Sequence, residues 1–207
     1  MKPTLQLYRN PVSGHCHRVE LFLSLLGLPY ESIDVDLANQ QHKTPEFLAM
    51  NPLSQVPVLR DGELTLADSN AILVYLEALH APGQWLPRDP VGAARVQRWL
   101  SLAAGLLAYG PCAARVVQLL KLQTDPKDAM ARAESLFQLM ESQLGHTPFL
   151  VGERATLADV AHYAYVARAP EGLVSLKPWP AIRAWLARIE ALPGFVPMLK
   201  LPIGLVE

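Results

Sequence analysis

The sequence predicts an α/β domain followed by an all-α domain, and three observations carry that prediction. Short strand-like patterns alternate with longer helical ones over residues 1–80. A break rich in proline and glycine, APGQWLPRDP, then occupies 81–90. Beyond it the apolar periodicity is almost wholly helical. The expected division is one domain over 1–80, a linker at 81–90, and a helical bundle over 91–207.

Leu5 and Leu7 enclose the polar Gln6, the alternation of a strand with one buried face. From Cys16, apolar residues recur at Val19, Leu23 and Leu26, the spacing of an amphipathic helix that Gly27 and Pro29 should end. A second strand is expected near Ile33 and Val35, then a short helix from about Pro45. In VPVLRDGELTL, Asp61-Gly62 separates two apolar runs and reads as a hairpin turn. Ala71, Ile72, Tyr75, Leu76 and Leu79 then repeat at helical spacing. The order βαβ, a short helix, then ββα makes a small mixed sheet with helices on its faces, a thioredoxin-like arrangement.

The second half should hold helices over 91–107, 127–144, about 156–169 and 179–192, with GPC at 110–112 read as loop. In ERATLADVA, Thr156 stands three residues before Asp159 and just ahead of an apolar run. That is a capping box, in which the hydroxyl caps the first turn while the carboxylate reaches back. Its role is structural, and its loss should cost about 1 kcal/mol, more if the helix is central.

Composition narrows the function classes. Of 207 residues, 51% are apolar and 18% charged, so the chain is globular. With 18 Lys and Arg against 19 Asp and Glu, it has no electrostatic footprint for nucleic acid or an anionic membrane. Two cysteines, Cys16 and Cys112, make no disulfide framework and suit a reducing compartment. The N-terminus has no signal-peptide core, and the apolar run 19–28 is too short to span a bilayer, so a cytoplasmic location is expected.

PVSGHCHRVE, from Pro11 to Glu20, is the densest chemical stretch. Metal binding by His15, Cys16 and His17 is not expected. Neighbouring helical residues diverge by ~100°, and no further cluster completes a shell. Cys16 extends the apolar stripe and reads as a core thiol, which burial makes unreactive. His17 shares a helix face with Glu20 and Ser24 and is expected in solvent. Ser13 sits where strand hands over to helix. It is either an N-cap or a hydroxyl aimed at an anion bound at the helix N-terminus. GxSxG is absent, which argues against an acyl-transfer nucleophile.

Two further junctions point the same way. In SQVP, Pro57 opens a strand, where its missing N–H is tolerated, and a cis Val56–Pro57 bond would present the Val56 backbone to solvent. In LADSNAI, Asp68 and Ser69 begin another helix, where a hydroxyl and free amides suit a carboxylate and Asp68 suits an ammonium group.

Taken in order, SGHCHRVELFLSLLGLPYE, HKTPEFLAMNPLSQVPVL, DGELTLADSNAILVYL and FLVGERATLADV resemble the cytosolic glutathione transferase superfamily over essentially the whole chain. The resemblance implies a glutathione transferase that activates the glutathione thiolate for attack on a small hydrophobic electrophile. Ser13 falls where the serine-type classes (theta, zeta and phi) carry the activating hydroxyl. His42 and Lys43 match the positions that hold the glycyl carboxylate. Gln55 and Val56 match the contacts before the cis-proline Pro57, and Asp68 with Ser69 the pair that grips the γ-glutamyl end. Family members more often carry Glu or Gln where Asp68 stands. Tyr8 is the rival to Ser13, since other classes use a first-strand tyrosine, but packing is its expected role here. By analogy Val12 and Tyr109 line the electrophile pocket. No metal is implied, and a homodimer is. The alternatives are glutathione-dependent peroxide or disulfide reduction, zeta-like isomerisation, and a non-catalytic ligand carrier.

Overall fold

The computed structural model describes residues 5–207. Leu5 and Leu7 are buried and Gln6 and Tyr8 half-buried, so the expected alternation produces β1 (Leu5–Arg9). It pairs in parallel with β2 (Tyr30–Asp34) and antiparallel with β3 (Val58–Asp61), which pairs antiparallel with β4 (Leu64–Ala67). The sheet order is β2-β1-β3-β4. Asp61 lies opposite Leu64, so the hairpin turn is Gly62-Glu63, one residue beyond the sequence expectation. Gly62 takes the left-handed φ of +59°, while Asp61 ends its strand and accepts from the Tyr75 hydroxyl at 2.8 Å.

Between β1 and β2 runs α1 (Gly14–Leu25), which ends in a Schellman closure. Gly27 adopts φ +64°, its N–H donates to Ser24 and the Leu28 N–H to Leu23. The helix buries Val19, Phe22 and Leu23, each contributing about 1.5–3 kcal/mol, and packs beside α3 (Ser69–His80). The short α2 (Pro45–Met50) places Phe47 in a cluster with Val35 and Val58.

One compact unit runs to Pro82 and takes back Pro193–Leu199; the other holds Gly83–Leu192 and Lys200–Glu207. The returning segment covers a face of α1 that the sequence assigns to solvent. His17 is buried with Nε2 2.9 Å from the Val196 carbonyl, and the Ser24 hydroxyl donates to the Gly194 carbonyl at 2.7 Å. Gly194 has φ +84°, and a Cβ there would meet the Ser24 carbonyl at 2.7 Å, so the turn requires glycine.

In the second unit, α4 (Pro90–Leu102) continues through a π-helical stretch, Ala103–Cys112, into α5 (Ala113–Leu119). GPC is therefore not a loop. Pro111 lacks the N–H of an ordinary helical bond, and the wider π winding carries the chain past it. Gly110 lets α6 (Lys127–Leu144) come close: a Cβ would stand 2.8 Å from the Ala133 nitrogen. Pro90–Leu119 is long and apolar enough to cross a membrane by length and composition, which the run 19–28 is not. Here it packs against α6 and against α7 (Leu157–Ala167). The last helix, α8, is Pro180–Glu190.

The capping box forms at α7, whose residues Leu157 to Val166 are all buried. The Asp159 carboxylate accepts from the Thr156 amide at 2.8 Å and its hydroxyl at 3.0 Å. It also accepts from the Leu150 amide and the Trp185 indole, each at 2.9 Å.

Candidate functional site

The strand register gathers the candidate residues at one end of the sheet. Because Tyr8 pairs with Val58, and Val58 with Ala67, the chain leaving β1 lies beside the chain entering β3 and leaving β4. Asn10–Ser13, Val56–Pro57 and Asp68–Ser69 thus share that end. Arg9 pairs with Asp34, so the segment after β2 that carries His42 and Lys43 starts there too. The Ser54 hydroxyl, donating to the His42 carbonyl at 2.7 Å, ties that segment to the loop before β3.

Ser13 is the N-cap of α1, half-buried, with extended backbone. Its Oγ accepts from the Cys16 amide at 3.3 Å, the long end of hydrogen bonding, so the self-capping bond is weak. Asn10 builds the turn that presents it. Its carbonyl accepts from the Ser13 amide at 3.0 Å, its side-chain carbonyl from the Val12 amide at 3.2 Å, and its side-chain amide donates to Val35 at 3.2 Å. The sequence reading passed over Asn10, although Asn-Pro is a turn-initiating pair.

Cys16 is fully buried, and its sulfur accepts from the Asn10 amide at 3.3 Å. Burial pushes its thiol up to about 11, more than the Ser13 and Asn10 contacts pull it down. His15 is half-buried, and burial, aided by the Arg18 charge, pushes it down to about 3, so its imidazole is neutral at pH 7. Tyr8 packs with Val35, Phe47 and Val58, on the face of the sheet opposite Leu7. Among the described residues, no three His, Cys, Asp or Glu side chains gather where they would hold an ion.

The loop before β3 is organised by Asn51, buried and also unremarked in the sequence. Its side chain accepts from the Leu53 amide at 3.1 Å and donates to the Gln55 carbonyl at 2.8 Å. Gln55 is exposed, Val56 half-buried, and the Val56–Pro57 peptide is cis. His42 is half-buried with a buried, unpartnered Nδ1, and Lys43 is exposed.

At the β4–α3 junction, Asp68 is exposed with φ +72°. One carboxylate oxygen accepts from the amides of Asn70 and Ala71, both at 2.9 Å, so Asp68 caps its own helix through Oδ1 alone. Ser69 is buried beside it. Beneath the junction lies Arg18, 1% exposed, whose Nη1 donates to the Ser69 hydroxyl at 2.8 Å and the Asn70 side-chain carbonyl at 2.7 Å. Arg18 shares a helix face with Phe22 and Leu25, a buried-cation signal that the sequence reading left unused. Val12 lies half-buried in the β1–α1 turn of the first unit; Tyr109 is exposed on the π-helical stretch of the second.

The chain is similar to known proteins over most of its length. Residues 3–78 match the family described as glutathione S-transferase, N-terminal domain, and residues 98–193 the glutathione S-transferase, C-terminal domain. Human glutathione S-transferase theta-2 is 34% identical over 92% of this chain and 82% of its own. Glutathione S-transferase F13 of Arabidopsis thaliana is 33% identical over 97% of this chain and 96% of its own. A crystal structure of a glutathione S-transferase from Pseudomonas fluorescens superposes with a TM-score of 0.89 at 36% identity, covering 95% of this chain and 99% of that one. A Drosophila mojavensis homologue solved with bound glutathione reaches 0.84 at 27% identity, over 92% and 89% of the two chains.

Proposed function

The chain belongs to the cytosolic glutathione S-transferase superfamily and is a glutathione transferase, and from that premise we propose that Ser13 holds the glutathione sulfur as its thiolate. The observation that carries this reading is the placement of Ser13. Its hydroxyl stands at the positive end of α1, bound to its own helix by one long contact, at the sheet end shared with Val56 and Ser69. A free thiol titrates near ~8.5, and lowering that by about 2 units requires ~2.7 kcal/mol of preference for the charged form. One charge-assisted hydrogen bond and a helix terminus supply that order of energy.

In this reading His42 and Lys43 hold the glycyl carboxylate, and the Val56 backbone pairs with the cysteinyl group beside Gln55 and the cis-proline Pro57. The Asp68 oxygen not used in capping takes the γ-glutamyl ammonium, with Ser69 on its carboxylate. The thiol proton leaves to solvent, the thiolate forms a carbon–sulfur bond, and the leaving group departs with its electron pair. The electrophile is small and apolar. The enzyme acts in detoxification in the cytoplasm as a homodimer, so light scattering should return twice the 22.8 kDa chain mass; a monomer mass would refute the dimer.

The test of the central claim is Ser13→Ala. The variant should bind glutathione with affinity within a few-fold of wild type, yet lose the ultraviolet thiolate absorbance of the bound form at neutral pH. Unchanged absorbance would sink the assignment.

A further inference from the structure

We infer that Arg18 is a positioning residue for the γ-glutamyl end of glutathione, fixing the Ser69 hydroxyl as a donor toward the ligand carboxylate. The inference rests on the reading that Ser69 and Asp68 receive that end.

A guanidinium has five N–H donors and no acceptor, so any hydroxyl bonded to it must accept. The Arg18 Nη1 carries two hydrogens, and the Ser69 Oγ at 2.8 Å and the Asn70 Oδ1 at 2.7 Å take one each. Ser69 therefore spends a lone pair inward and keeps its own hydrogen for another acceptor. At the first residue of α3, beside backbone amides, the acceptor of matching charge is a carboxylate. The same fork sets the orientation of the Asn70 amide, so two neighbouring side chains are locked by one cation.

Charge adds to geometry. Arg18 is 1% exposed, so its field at the α1–α3 junction is weakly screened. The imidazole of His15, on the same helix, registers that field, since the Arg18 charge adds to burial in disfavouring its protonation. Asp68 meanwhile keeps one oxygen clear of its cap. The junction thus offers a directed donor with a buried cation behind it and a carboxylate beside it, the pattern of an amino acid's two charged groups.

The experiment compares glutathione with cysteinylglycine, which has the thiol and the glycyl end but no γ-glutamyl group, in conjugation to a halogenated nitroarene. Arg18→Met should raise KM for glutathione by about tenfold, the loss of one charge-assisted bond, with kcat at saturation held within about twofold. Its kcat/KM for cysteinylglycine should equal that of wild type. Ser69→Ala should show the same selectivity. Arg18→Lys, which keeps the charge but not the fork, should give a smaller rise confined to glutathione, and it carries the comparison if the methionine variant does not fold. An equal loss with both thiols, or an unchanged glutathione KM in a folded Arg18 variant, overturns the inference and leaves Arg18 a packing residue. If Ser69→Ala leaves the glutathione KM unchanged, the underlying reading of the junction fails, and the inference falls with it.

Discussion

The N-terminus of α1 is capped by Ser13 through one 3.3 Å contact, whereas that of α7 is closed by Thr156 and by a buried carboxylate that accepts four hydrogen bonds. Both helices present the positive end of a backbone dipole and first-turn amides that have no partner four residues back in the helix. At α7 the chain supplies its own anion: Asp159 is fully buried and draws donors from three places in the second unit. At α1 the first turn contains no acidic residue, and the capping hydroxyl is half-buried. One physical device thus serves two ends. Filled by a side chain, a helix terminus stabilises the fold; left for a ligand, it stabilises charge on that ligand.

Breaking the closed terminus should give the largest effect. Asp159→Ala leaves the Leu150 and Thr156 amides, the Thr156 hydroxyl and the Trp185 indole without their acceptor in the interior. The expected loss is about 3–5 kcal/mol of folding stability. Urea denaturation should show it as a fall in midpoint at constant slope; a loss below about 1 kcal/mol would mean the carboxylate is dispensable. At the open terminus the sign of importance reverses. Ser13→Ala should cost no more than about 1 kcal/mol of stability, as for a weak cap, while raising the pKa of bound glutathione by about 2 units. If stability fell while ionisation held, the two termini would be alike and the contrast would fail.

How much of this was legible in the sequence depended on the range of the interaction. The capping box Thr156–Asp159 and the αβ order of the first unit are local patterns, and both formed as read. The sheet-end placement of Ser13, Val56 and Ser69 followed from strand order once the register was known. His17 was misread because its partner, Val196, lies 179 residues away, and no local period reports a segment returning to cover a helix. GPC looked like a break because Gly and Pro disfavour α-helix, but tertiary packing on α6 holds the chain in a π winding instead. Arg18 was missed for the opposite reason. A charge two residues from Glu20 on a busy helix reads as surface unless its apolar neighbours Phe22 and Leu25 are weighed, and the contacts with Ser69 and Asn70 mark it as interior.

The smallest expected effect is a null one, and it separates the two candidates that lie three residues apart in α1's first turn. Cys16 is the more conspicuous nucleophile, and Ser13 the one assigned a role. The thiolate, not the thiol, reacts with alkylating agents, so reactivity follows the ionised fraction. With the Cys16 thiol pushed up to about 11 from an ordinary 9.0 by burial, that fraction at neutral pH falls about a hundredfold. Complete burial withholds the sulfur from the reagent as well. In a Cys112→Ser background, native protein treated with iodoacetamide at pH 7–8 should remain unlabelled by mass spectrometry and retain full activity, and urea should expose one reactive thiol. Rapid labelling of the native chain, with matching loss of turnover, would move the chemistry from Ser13 to Cys16. In the proposed role Ser13 differs from Cys16 in requiring no ionisation of its own: its hydroxyl would stay neutral and donate to the sulfur, so the charge would reside on the ligand at the open end of α1.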